Sequence, residues 1–119
     1  MKMAIPTLGK KGLEEMVSEH FGRCDTYTLL DDKGNFLEVI DNTSSHNGGK
    51  ELPPEILKKY NVDILLCKGL GPRALEFCKK LGIIVYVYSG NTVKEIMENW
   101  KNNCPAPATM KDICEEHRL

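Results

Sequence analysis

Apolar and polar positions fall into blocks whose period changes along this chain. The run Met3-Ala4-Ile5, closed by Pro6, reads as a first strand over 2–6. A long connection follows, with Gly9 and Gly12 and a helical turn expected at Leu13-Glu14-Glu15-Met16-Val17. Thr26 to Leu30 is rich in β-formers, and Phe36 to Ile40 alternates apolar with polar. Between them Asp31-Asp32-Lys33-Gly34-Asn35 predicts a hairpin turn in which Gly34 takes positive φ. Glu51 to Tyr60 then shows helical spacing at Leu52, Ile56, Leu57 and Tyr60, with Pro53 and Pro54 tolerated in the first turn. Val62 to Cys67 is a continuous apolar run broken by Asp63, the pattern of a strand covered on both faces, and Ile83 to Tyr88 is another fully apolar strand. Helices are expected over 72–81, stopped by Gly82, and over 92–101, with Val93, Ile96, Met97 and Trp100 on one face.

The order is therefore β-β-β-α-β-α-β-α. Right-handed strand–helix–strand crossovers then require a three-layer α/β/α domain on a mixed five-stranded sheet, one strand running against the others. That topology brings the loop ending at Cys24, the loop 42–50, the loop 67–72 and the loop 88–92 to one sheet edge. Open α/β sheets bind ligands at that edge.

Composition narrows what such a site holds. At 119 residues, one domain with one core is expected, here over 1–101, followed by a turn-rich tail at 102–119. Sixteen Lys and Arg balance seventeen Asp and Glu, with no basic stripe, which disfavours nucleic acid as a partner. No run approaches the ~20 apolar residues of a membrane span, and the N-terminus lacks a cleavage-site pattern. A cytoplasmic protein is expected, with its five cysteines as thiols.

Three segments at the shared edge carry chemistry. They are Ser18-Glu19-His20-Phe21-Gly22-Arg23-Cys24, His46-Asn47-Gly48-Gly49-Lys50 and Cys67-Lys68-Gly69-Leu70-Gly71-Pro72-Arg73. Imidazole, thiol, glycine-rich backbone and cations together suit an anionic metal–sulfur species. Singly, each has a structural explanation. His20 can cap a turn, Arg23 can pair with Asp25 or Glu19, and Cys24 and Cys67 can be small core hydrophobes. Gly69 and Gly71 can serve a tight strand-to-helix turn, and Cys78 reads as packing beside Phe77 and Leu81.

The strings Val17-Ser18-Glu19-His20-Phe21-Gly22-Arg23 and Gly69-Leu70-Gly71-Pro72-Arg73-Ala74 carry a family resemblance. With them go Met3-Ala4-Ile5-Pro6, the Asp41-Asn42 turn leading to His46, Gly48 and Gly49, and Gly82-Ile83. Over residues 1 to about 101 the chain resembles the dinitrogenase iron–molybdenum cofactor biosynthesis family, which includes nitrogenase accessory carriers and the orange protein. The resemblance implies a ribonuclease H-like fold. It also implies a binding or carrier role for an iron–sulfur, iron–molybdenum or related metal–sulfur cluster, labile and exchanged with donor and acceptor proteins, and not an enzyme. His20, Arg23 and His46 transfer as cluster contacts, the 69–71 turn as backbone support, and Cys24 more weakly; Cys67 is this chain's own feature. The expected ligand set is His20, Cys24, His46 and Cys67, with Gly22, Arg23, Gly48, Gly49, Gly69 and Gly71 around it.

The tail departs from that family. Cys104, Cys114 and His117 form a second-choice set of soft ligands, one short of a closed zinc site. Two other classes stay open from the residues alone. A thiol redox or regulatory module requires Cys24 and Cys67 to meet. A nuclease requires carboxylates at the site edge, whereas Asp31 and Asp32 belong to the opposite one.

Overall fold

The computed structural model describes residues 1–43 and 51–102. Among these the strands are β1 (Lys2–Thr7), β2 (Thr26–Asp31), β3 (Phe36–Asp41), β4 (Ile64–Cys67) and β5 (Ile84–Val87). The helices are α1 (Pro53–Lys59), α2 (Pro72–Lys80) and α3 (Val93–Asn102). Across the sheet the order is β3-β2-β1-β4-β5. β2 runs antiparallel to β1 and β3, while β1–β4 and β4–β5 are parallel. One strand opposes the others, as the hydrophobic pattern requires.

The period of two along the strands splits the core between the two sheet faces. Ala4, Leu29 and Leu65 point to the face covered by Ile56 and Leu57 of α1 and Leu75 and Cys78 of α2. Met3, Ile5, Leu30, Ile64 and Leu66 point to the other, covered by Val93, Ile96 and Met97 of α3. Burying each of the larger aliphatic side chains contributes about 1.5–3 kcal/mol. Leu57, Leu75 and Ile96, one per helix, are within 1% of full burial.

The hairpin turn forms as its residues dictate. Asp31 Oδ1 accepts the backbone N–H of Lys33 and of Asn35, both at 2.9 Å, and Gly34 sits at φ 90°. The bonds from Asn35 hold the Asp31 carboxyl below the usual carboxylate range.

Two elements differ from expectation. The helical turn at 13–17 is a 3-10 turn over Gly12–Glu14, and the chain is extended again by Glu15. Backbone bonds explain the change: Leu8 N–H donates to Met16 O, Val17 N–H to Asn91 O, and Val93 N–H to Glu15 O. Segment 15–17 is thereby tied to the approach to α3 and cannot coil. β5 is covered less completely than its apolar run suggests. It is an edge strand, with Ile84 exposed, Val85 buried, and Tyr86 half-buried in a T-shaped contact with Trp100 at 4.9 Å.

Candidate functional site

Main-chain bonds knit the predicted loops together at the carboxyl edge of β1, β4 and β5. Ser18 N–H donates to Pro6 O at 2.9 Å, directing the chain along the end of β1. Phe21 N–H donates to Gly69 O at 3.0 Å, joining the first loop to the turn after β4. Tyr88 N–H donates to Cys67 O, and Asn42 N–H to Asp25 O, each at 3.0 Å. Lys68 Nζ meets Glu19 Oε1 at 2.9 Å, and this bond holds the Glu19 carboxyl below its ordinary range. Loops 18–24 and 67–72 therefore form one surface, as the strand directions predict.

That surface borders a groove of about 410 Å³. Its walls are Phe21 and Gly22, Leu52 with Pro53 and Pro54 at the start of α1, and Arg73, Ala74 and Phe77 of α2. Arg73 is the charged group in this lining, and it forms no ion pair with a described residue. The first turn of α2 contains no acidic residue, so its N-terminal partial positive charge is not neutralised from within the turn. Among the loop glycines, Gly22 needs the left-handed region, at φ +96°; Gly71 caps α2 at φ −83°, which any residue adopts.

The expected ligands separate into three groups. Arg23 is exposed and His20 half-buried beside the groove wall, while Gly22 and Gly69 are buried in the surface that forms it. Cys24 and Cys67 lie inward, 1% and 0% exposed, in the same core cluster as Cys78 and Tyr27. Both side chains are packed in the core, where free cysteines act as small hydrophobes. Cys24 lies two residues before β2, and the Asn42 side chain, which donates to the Cys24 carbonyl at 2.8 Å, holds the chain there while the thiol packs with Tyr27 and Leu29. Burial pushes the Cys24 thiol up to about 11 and the Cys78 thiol up to about 12. The Tyr27 hydroxyl, fully buried beside Cys24, lacks a hydrogen bond of good geometry, and its ionisation is strongly suppressed by desolvation. His46, Gly48, Gly49, Cys104, Cys114 and His117 lie outside the described residues.

Among the described residues no three His, Cys, Asp or Glu side chains converge as a metal cage. What this edge offers is an apolar recess with guanidinium and helix N-terminus at its rim. Phe21 and Arg73 belong to the segments singled out from the sequence, whereas Phe77 and the Pro53-Pro54 pair escaped sequence reasoning because they join those loops from the two helices.

Residues 1–103 match the family described as dinitrogenase iron-molybdenum cofactor. The chain belongs to that family. A NifB-assigned Thermotoga protein of the DUF35 family, solved by NMR, is 31% identical, with 86% of this chain and 88% of that one covered at TM-score 0.71. The apo orange protein of Desulfovibrio gigas is 25% identical over 91% and 96% of the two chains, at TM-score 0.72. An uncharacterized protein of Methanocaldococcus jannaschii is 25% identical over 103 residues, 82% of this chain and 83% of its own length. Family membership indicates a role in the binding or biosynthesis of iron–molybdenum-cofactor-related clusters. Among the described residues no helix is long and apolar enough to cross a membrane.

Proposed function

We propose that this protein is a carrier, without catalytic activity of its own, that receives a metal–sulfur cluster from a donor protein and passes it to an acceptor. The cluster is its cargo. The observation carrying this reading is the groove: apolar walls with Arg73 at the rim, beside the His20-Phe21-Gly22-Arg23 loop. A sulfide-rich cluster is anionic, polarisable and weakly hydrated. Phe21, Phe77, Ala74 and the prolines match its body, while Arg73, Arg23 and the α2 N-terminus match its charge. Such a seat holds cargo by charge and contact, which suits release better than a closed thiolate cage does. Cys24 and Cys67 are core residues in this reading, and His20 is the soft group nearest in sequence to the groove wall. Asp31, at the far end of β2 opposite Lys2, stands at the other sheet edge, away from any phosphoryl chemistry here.

Anaerobic purification followed by metal analysis and ultraviolet–visible spectroscopy tests the proposal, with tetrathiomolybdate as a defined soft anion for reconstitution. Stoichiometric retention with sulfur-to-metal charge-transfer bands is expected. Arg73→Ala should weaken retention about tenfold, and the difference should shrink as salt rises. Retention of tetrathiomolybdate no better than by an unrelated protein of equal charge would sink the carrier reading.

A further inference from the structure

Asn42 stands just after β3 and is 4% exposed, an unusual place for an amide with no apolar contribution to make. Its side-chain nitrogen donates to Gly22 O at 3.0 Å and to Cys24 O at 2.8 Å, and lies 3.8 Å from Cys24 Sγ. An amide nitrogen carries two protons, so both are committed to neighbouring carbonyls of one loop. The Asn42 backbone N–H donates to Asp25 O, extending the grip by one residue. Between these bonds the chain passes through the left-handed turn at Gly22. A left-handed turn outside regular structure has no ladder of its own to hold it, and its buried carbonyls need donors from elsewhere.

Phe21 and Gly22 are also the wall of the groove. On the other side the bond from Phe21 N–H to Gly69 O fixes them as well. The wall is thus bonded at one end to the turn after β4 and at the other to the Asn42 side chain, with Phe21 and Cys24 packed in the core between them. We infer that Asn42 is the positioning residue of the cargo site: by holding Gly22 and Cys24 it sets the Phe21–Gly22 wall against α1 and α2, and thereby how tightly a soft anionic cluster is retained. This rests on the carrier reading above.

The test uses the full chain and tetrathiomolybdate in anaerobic equilibrium dialysis, alongside amide hydrogen exchange. Asn42→Asp keeps the shape but removes both donors and sets a carboxylate against two carbonyl oxygens. Asn42→Ala removes the donors without adding charge. Each variant should bind about tenfold or more weakly than wild type, the equivalent of losing one to two buried hydrogen bonds. For Asn42→Ala the dependence of affinity on salt should match wild type, in contrast to Arg73→Ala, because no charge has been removed. Exchange should accelerate at residues 21–25 and stay at wild-type rates in β1 and β4. That local pattern is what a general loss of stability would not produce. Should Asn42→Asp fail to fold, Asn42→Ser, whose shorter hydroxyl cannot reach both carbonyls, is read in the same way.

Binding within twofold of wild type in both Asp and Ala variants overturns the inference. So does weaker binding accompanied by uniformly faster exchange through the whole sheet. A wild-type protein that retains no tetrathiomolybdate is a different result: the carrier reading falls, and this inference falls with it.

Discussion

Raising the pH should weaken this fold through its buried thiols, well before lysine titration intervenes. Cys24 and Cys78 have an ordinary value of 9.0, raised by burial to about 11 and about 12. The folded state therefore keeps both protons where the unfolded chain gives them up. Below pH 9 both states are protonated and stability is at its full value. Above pH 9 the unfolded state gains by ionising, and stability falls until the folded thiols titrate as well. Each thiol removes about 1.4 kcal/mol per pH unit within that window. Together they should cost about 3 kcal/mol between pH 8 and pH 10, a large share of the ~5–15 kcal/mol of a typical domain. Urea unfolding at half-unit pH steps measures this directly. Cys78→Ala will be less stable throughout because of the lost packing, but its pH dependence should be shallower than that of the wild type. Native-state alkylation of Cys24 at pH 8 should run about 100-fold slower than that of a free thiol, from ionisation alone. Stability constant within 1 kcal/mol from pH 8 to pH 10, or a slope unaltered in Cys78→Ala, would refute the argument and return Cys24 to the set of accessible ligands.

Tyr27→Phe deletes a buried hydroxyl without a well-formed bond, so thermal melting should show unchanged or slightly raised stability, by about 1 kcal/mol at most. Ile96→Ala opens a cavity between α3 and the sheet and should cost about 2–5 kcal/mol in urea unfolding. Gly22→Ala forces a side chain into the left-handed region; it should cost about 1–2 kcal/mol and raise exchange locally at 21–25.

The sheet was legible because its signals are local. Asp31 to Asn35 spells its own turn, and the apolar runs at 64–67 and 84–87 differ in period from the helices between them. The shared edge followed from strand direction alone. What stayed hidden depends on distant partners. Whether Cys24 faces groove or core depends on the path of the chain ahead of β2, held by Asn42 from 18 positions later, which no neighbouring residue announces. Val17 is extended and not helical because Asn91 accepts its N–H. The importance of Asn42 rests on carbonyls 18 and 20 positions earlier. An apolar stretch such as 83–88 looks the same at a sheet's centre as at its edge; only the strand order distinguishes them.

That strand order also has a consequence for synthesis. β1 leaves the ribosome before the other four strands yet stands in the middle of the sheet, and its parallel neighbour arrives much later: Lys2 N–H binds the Asp63 carboxylate across 61 positions. At about 5–20 residues per second the nascent chain waits roughly 3–12 s for β4. In that interval β1 can pair with the β2–β3 hairpin on one side, while its other edge and both apolar faces stay open. A β1 edge without β4 is a template for pairing with another chain. Slowing translation between residues 42 and 63 should therefore lower the yield of folded protein, even though the finished sequence is unchanged.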